Sequence, residues 1–280
     1  MFDPQQYELV DFGDGAKVER FGGNLIARES PSVEMFDPNS PIENFEVDAS
    51  YDSRSGDDCV WYGDLETGWQ IAHGSSKFNL RQTPTGQVGV FPEQAANWDW
   101  IASHADRIAG KKAINLFAYT GGSTLALASA GAHVTHVDSA SSVVSWASEN
   151  AAASGLSDHP IRWIVEDAMK FVQREIKRGN TYDVFVADPP SFGRGKKKET
   201  WKIDRDFEDL IELAKLLCPD PIMMILSCHT PTWDAGDLEF VLSRHFENQS
   251  ENFESMPLIL KTIDGRELPS GDCARFVSKG

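Results

Sequence analysis

No run of about 18 apolar residues occurs in this 280-residue chain, so no segment reads as a membrane-spanning helix. The opening residues, MFDPQQYELVDFGDG, have neither a basic stretch nor an apolar one and do not read as a secretory signal. Cysteine is scarce and scattered: Cys59, Cys218, Cys228 and Cys273 form no CxxC pair. That argues against a zinc site or a disulfide framework and suits a reducing cytoplasm; no metal is expected. Positive charge is short as well. Lys and Arg number 26 against 43 Asp and Glu, a net charge of −17, which speaks against an indiscriminate nucleic-acid binder. What is present is ordinary for a globular chain: 41% hydrophobic and 25% charged residues, enough for one mid-sized domain with an appendage.

The charge imbalance is uneven. The first 60 residues hold 14 acids against four bases. Residues 191–205 reverse the sign, with Arg194, Lys196, Lys197, Lys198, Lys202 and Arg205 against Glu199 and Asp204. A local basic loop on an acidic protein can meet phosphates, because fields act over roughly a Debye length of 10 Å. Its other reading is a solvated loop.

Up to about residue 100 the sequence is broken into short β-rich pieces at 7–12, 17–21, 24–28, 59–62, 69–73, 78–81 and 87–91, with turns at the Gly-Asp-Gly of 13–15 and at Gly22-Gly23. Residues 30–58, rich in acids and carrying Pro31, Pro38 and Pro41, read as a long exposed loop. Trp61, Trp69, Trp98 and Trp100 read as core rather than as base-stacking platforms. From Lys112 onward apolar strands alternate with helices. Strands are expected at 113–117, 133–137, 161–165, 184–187, 222–227, 254–259 and 274–277, and helices at 123–130, 142–153, 169–177, 207–217 and 235–246. The fold expected is α/β, a doubly wound Rossmann-like seven-stranded sheet whose last strand joins antiparallel, preceded by a small antiparallel β appendage. The expected domains are residues 1–100 and 101–280.

Strand ends then carry the chemistry. The first strand of the α/β part runs into Phe117-Ala118-Tyr119-Thr120-Gly121-Gly122 and a helix of small residues, where backbone can approach a ligand and helix N–H groups are free to bind it. This turn is neither GxGxxG nor a P-loop, so nucleoside triphosphates and hydride transfer are disfavoured. The second strand ends in Asp138, placed to accept ribose hydroxyls, and the third in Glu166-Asp167-Ala168, where Asp167 can meet an adenine amine; each acid can equally cap the helix that follows. The fourth ends in Asp188-Pro189-Pro190-Ser191-Phe192, a stiff corner poor in N–H donors.

Residues 115–150, 165–171 and 186–195 together resemble the class I S-adenosylmethionine-dependent methyltransferases, and more closely the group that modifies cytosine C5 or guanine in ribosomal large-subunit (23S) RNA. Likeness is strongest over 88–230. It implies S-adenosylmethionine as cofactor, S-adenosylhomocysteine as product, and ribosomal RNA or a ribosomal particle as partner. It further implies that Phe117–Gly121 wraps the methionine end, that Asp138 with Ser139 holds the ribose, and that Asp167 with Ala168 faces the adenine. Asp188 with Pro189 lies near the sulfonium. Phe91 and Gln94, in a segment similar to the one leading into the cofactor domain, join the cofactor set. Where the family usually has Arg after this glutamine, the chain has Ala95, and an acidic β appendage stands in place of the basic N-terminal module of some relatives.

Two acceptor chemistries remain open. Cys228, after Ser227 at the end of the fifth strand, matches the cysteine that attacks C6 in cytosine-C5 enzymes, with His229 beside it; it can equally be a small core residue. Asp188-Pro189-Pro190-Ser191 resembles the Asp/Asn-Pro-Pro-aromatic corner of amino-methyltransferases, with Ser191 where the aromatic stands and Phe192 next to it. Both chemistries need an unstacked base, for which Pro190, Ser191 and Phe192, with Arg194, Lys196 and Lys197, are the candidate contacts. A small-molecule or protein methyltransferase, and a cofactor-binding module without turnover, are the other readings.

Overall fold

The computed structural model describes residues 1–52, 60–65, 68–194, 200–249 and 252–279. The chain clusters into two compact units, Met1–Ala95 with Leu260–Leu268, and Ala96–Ile259 with Pro269–Gly280.

The first unit holds a sheet of β1 (Tyr7–Gly13), β2 (Ala16–Phe21), β3 (Asn24–Glu29), β4 (Ala49–Asp52) and β5 (Val60–Tyr62) in that order, and a separate hairpin of β6 (Gln70–His73) and β7 (Ser76–Asn79). Neighbours pair antiparallel except β3 and β4, which run parallel. β4 falls inside the stretch read as loop, because flanking acids and prolines hide a strand of only four residues. Residues 87–91, expected as a strand, form none; Gly86 and Gly89 at φ of 76° and 103° break the extended run. The core of this unit includes a buried ion pair, Glu19 with Arg28, to which Tyr7 donates its hydroxyl at 2.9 Å. Burial pushes the Glu19 carboxyl up, but the adjacent Arg28 outweighs it and leaves the group below its ordinary range.

The second unit opens with α1 (Ala95–Ser103) and α2 (Ala105–Ile108), which sequence patterning did not reveal. Then come β8 (Lys112–Leu116), α3 (Gly122–Ser129), β9 (His133–Asp138), α4 (Ser141–Ala153), β10 (Ile161–Val165), α5 (Ala168–Lys177) and β11 (Val184–Ala187). A small hairpin of β12 (Phe192–Arg194) and β13 (Thr200–Lys202), also unforeseen, precedes α6 (Ile203–Leu217), β14 (Met223–Cys228), α7 (Ala235–Phe246), β15 (Glu254–Lys261) and β16 (Glu267–Val277). The large sheet has the order β10-β9-β8-β11-β14-β16-β15; its first five strands are parallel and β16 lies antiparallel to β14.

The period-two pattern of the strands explains the two covered faces. Ile114 and Leu116, Phe185 and Ala187, Met224, Leu226 and Cys228, and Ala274 and Phe276 form one core with the apolar stripes of α5, α6 and α7. Fully buried Phe171, Phe185, Phe207, Phe246 and Phe276 each contribute about 1.5–3 kcal/mol by area burial. The alternate positions Asn115 and His136 lie on the α3 side, where Asn115 donates to Thr124 Oγ1 at 3.0 Å and His136 Nδ1 lies 2.9 Å from the same oxygen. α3 sits close because it is built of small residues: a Cβ on Gly122 would stand 2.3 Å from the Trp98 ring. Strand order reverses between β8 and β11, and such a switch point opens a crevice at the strands' carboxyl ends.

Candidate active site

The loop after β8 is held in an uncommon shape. Phe117 and Tyr119 have φ of 53° and 48°, and Gly121, which caps α3, has φ of 91°. Left-handed backbone at non-glycine residues costs on the order of 1 kcal/mol each and persists where surroundings enforce it. Here the Ala118 N–H donates to the Val137 carbonyl at 3.1 Å, the Tyr119 N–H to Asp138 Oδ2 at 3.0 Å, and Asn150 of α4 to the Thr120 carbonyl at 3.0 Å. Below the loop, burial drives the His136 imidazole down to about 3, so it stays neutral beside Thr124.

Asp138 ends β9 and accepts N–H groups on both oxygens, Tyr119 on Oδ2 and Ala140 on Oδ1 at 2.9 Å. Burial pushes its carboxyl up, and the N–H groups of Ala140, Tyr119 and Ser139 oppose that without cancelling it. It is not the cap of α4, whose N-cap is Ala140. Asp167 is a cap: it accepts the Lys170 N–H at 3.0 Å at the start of α5. Glu166 pairs with Arg174 at 2.6 Å, and its N–H donates to the Asp138 carbonyl. Ala168 is buried, which leaves its backbone to meet a ligand. The ends of β8, β9 and β10 are thus tied together.

The corner after β11 is braced from three sides. Trp201 of β13 donates its indole N–H to the Pro190 carbonyl at 2.7 Å, and its ring lies 4.9 Å from that of Phe117. Ser191 and Thr230 share a hydroxyl hydrogen bond of 2.7 Å, and the Ile203 N–H donates to the Ser191 carbonyl. His229, just past β14, places Nε2 3.6 Å from Asp188 Oδ2. Phe192 is half exposed, with the Arg194 guanidinium 5.5 Å above its ring. Lys196 and Lys197 lie outside the described residues.

Cys228 is fully buried, with Sγ 3.5 Å from the Trp233 carbonyl. Burial pushes its thiol up to about 11. Phe91 and Gln94 belong to the first unit, at the short helical turn Pro92–Gln94. Among the described residues no group of three or more His, Cys, Asp or Glu side chains could hold a metal ion, and no helix is long and apolar enough to cross a membrane. Sequence reasoning missed Trp201, Thr230 and Asn150, and it weighed His229 only as a neighbour of Cys228. For Trp201 a signal existed: a lone indole in a basic loop that needs a hydrogen-bond partner once buried.

A family profile described as S-adenosylmethionine-dependent methyltransferase matches residues 44–260. The protein named ribosomal RNA large subunit methyltransferase K/L of Shewanella frigidimarina is 32% identical over 148 residues, 52% of this chain and 20% of that protein. Its namesake in Pseudoalteromonas atlantica is 29% identical over 203 residues, 71% of this chain and 26% of that one. The chain therefore spans about a quarter or less of these relatives' length. The SAM-dependent methyltransferase of Agrobacterium tumefaciens superposes with a TM-score of 0.90 at 31% identity, covering 98% of this chain and 91% of that one. SMU.776, a methyltransferase-fold protein complexed with SAH, shares the fold (TM-score 0.75, 18% identity, 97% and 75% covered). The sheet order, the strained loop resting on Asp138, and a profile match over most of the chain agree: the chain belongs to the S-adenosylmethionine-dependent methyltransferase family.

Proposed function

We propose that this chain methylates a nitrogen on a base of ribosomal RNA. S-adenosylmethionine, when bound, supplies a methyl group on a sulfonium, and the donor set is suited to it. Asp138 takes the ribose hydroxyls on lone pairs that Tyr119 and Ala140 leave unused, with Ser139 beside it. The second oxygen of Asp167, with the Ala168 backbone, faces the adenine amine. The backbone of Phe117–Gly121 wraps the methionine end, and Phe91 and Gln94 complete the cofactor set. Asp188 offers a carboxylate and Pro189 a carbonyl to an acceptor amine. Neither Pro189 nor Pro190 has an N–H to compete for those acceptors.

The observation that carries the choice of nitrogen is the contrast between two strand ends. Attack on C6 of cytosine needs a thiolate, and Cys228 is buried among Met224, Leu226 and the helices, with its thiol held protonated. Asp188 instead stands partly open beside His229 and the Pro190–Phe192 corner. RNA as the substrate rests on the relatives' names and on local chemistry. Phe192 offers a stacking face, and Arg194, Lys196 and Lys197 offer phosphate contacts next to the acceptor corner. A reducing cytoplasm belongs to the same proposal, since Cys218, Cys228 and Cys273 are free thiols.

The test is transfer of label from radioactive S-adenosylmethionine into deproteinised RNA, intact ribosomal particles, and a panel of proteins and small amines. Label entering RNA, and retained with Cys228→Ala, supports the proposal. Label confined to proteins or small amines moves the substrate class. Loss of RNA labelling in a folded Cys228→Ala variant moves the chemistry to carbon.

A further inference from the structure

We infer that His229 is the proton acceptor of the transfer, with Asp188 stabilising the imidazolium it becomes. The inference rests on the nitrogen-acceptor reading above. His229 Nδ1 lies 2.7 Å from the Ser270 carbonyl, which can only accept, so Nδ1 carries a hydrogen. In the neutral ring Nε2 is then a lone pair, and it faces Asp188 Oδ2, itself an acceptor, across 3.6 Å. Two acceptors pointed at one another are reconciled by a donor: a proton on Nε2, or an N–H group inserted at the same edge. An acceptor amine supplies that donor.

The placement is built into the strands. Successive side chains of an extended segment alternate in direction, so burying Cys228 in the core turns His229 out of it, leaving its side chain 34% exposed. β16 closes on the ring through Gly271, whose φ is +135° and where a Cβ would lie 2.8 Å from His229 Nδ1. The charged groups set against the imidazole are acidic: Asp188 at the end of β11 and Asp272 on β16. Both favour the protonated ring once a proton arrives.

In the step, the amine nitrogen's lone pair forms the bond to the methyl carbon. The carbon–sulfur bond breaks with its electron pair on sulfur, so the sulfonium becomes a neutral thioether. The methylated nitrogen gives its surplus proton to His229 Nε2, and the half-open imidazolium returns it to water. The base must start neutral, so activity falls as the ring protonates with falling pH and rises as pH increases.

Two measurements test this. In the protein alone, nitrogen-15 spectra of the imidazole should show the Nδ1–H tautomer when neutral, and Asp188→Asn should shift its titration midpoint to lower pH. A Nε2–H tautomer, or a midpoint that Asp188→Asn leaves in place, overturns the inference without any substrate. In single turnovers with RNA, His229→Gln should slow transfer about 100-fold or more, flatten the acid limb between about pH 5 and 8, and leave S-adenosylhomocysteine affinity unchanged. Free imidazole should restore rate to His229→Ala. Wild-type rate and pH profile in His229→Gln, while the wild type forms an N-methylated nucleoside, overturns the inference and spares the reading beneath it. A wild type that forms 5-methylcytidine instead overturns that reading and removes the proton acceptor's role with it.

Discussion

Asp138 spends one lone pair of each carboxylate oxygen on the backbone N–H groups of Tyr119 and Ala140, which aims the remaining ones and holds the loop after β8 in place. Replacing it removes ligand contacts and the loop's anchor together. Asp138→Ala should therefore weaken S-adenosylhomocysteine binding by more than about tenfold by calorimetry, roughly the value of one or two hydrogen bonds to a charged group. Unchanged affinity in a variant with intact circular dichroism would remove the ribose assignment. Asp138 and Asp188 were legible in the sequence because each ends an apolar strand, where a carboxylate has little reason to be unless it caps or binds. The cap of Asp167 was legible only as one of two alternatives, since a helix start and a ligand site call for the same residue type. The pairing of His229 with Asp188 was not legible. The two are 41 residues apart and meet only because β14 lies beside β11 in the sheet.

At the scale of elements, the short hairpin of β12 and β13 links the acceptor corner to the cofactor loop, because Trp201 bonds Pro190 with its indole N–H and packs on Phe117 with its ring. Trp201→Phe keeps most of the packing and loses the hydrogen bond, worth about 1 kcal/mol. Transfer rate should drop severalfold with cofactor affinity preserved; equal loss of both would mean that the hairpin merely supports the fold. Further along the sheet, α5 is fixed through the buried Glu175, which accepts from Arg162 of β10 at 3.2 Å, Arg178 at 3.1 Å, Asn180 at 2.9 Å and Tyr182 at 3.0 Å. Burial raises the Glu175 carboxyl, but the hydrogen bonds of Asn180, Tyr182 and Arg178 and the charge of Arg162 outweigh it and hold the group below its ordinary range. A depressed carboxylate stabilises the fold above its unfolded pKa, and that share is lost as pH falls through the folded one. Glu175→Gln should cost about 1–3 kcal/mol near neutrality and shrink the difference from wild type in acid, read from denaturant midpoints at both pH values. The alternation of strand and helix that carries these elements was visible because buried parallel strands are continuous apolar runs. α1 was not: its Asn, Trp and Asp residues have middling helix propensity, and packing decides its structure. α6 begins at Ile203 rather than at 207, because Asp206 reaches back to the Lys202 N–H at 2.8 Å and starts the helix a turn early.

For the molecule as a whole, a net charge of −17 with the acids concentrated in the first 60 residues leaves the basic stretch beside the acceptor corner as the source of attraction for RNA. Few phosphates can be neutralised that way. The logarithm of RNA affinity should fall with the logarithm of salt at a slope of about −2 to −4, shallower than for a protein that tracks the backbone. A slope near zero would disconnect this stretch from the substrate. The acidic half was legible from composition alone, whereas the meaning of the basic stretch depended on the fold, which sets it after the β11 corner. The most direct measurement is mass spectrometry of nucleosides from ribosomal RNA treated with the protein and methyl-deuterated S-adenosylmethionine, with Asp188→Ala in parallel. A deuterated methyl on a base nitrogen, formed by wild type and lost in the folded variant, is the expected result. Deuterated 5-methylcytidine, or the same N-methylated nucleoside made undiminished by Asp188→Ala, would contradict it.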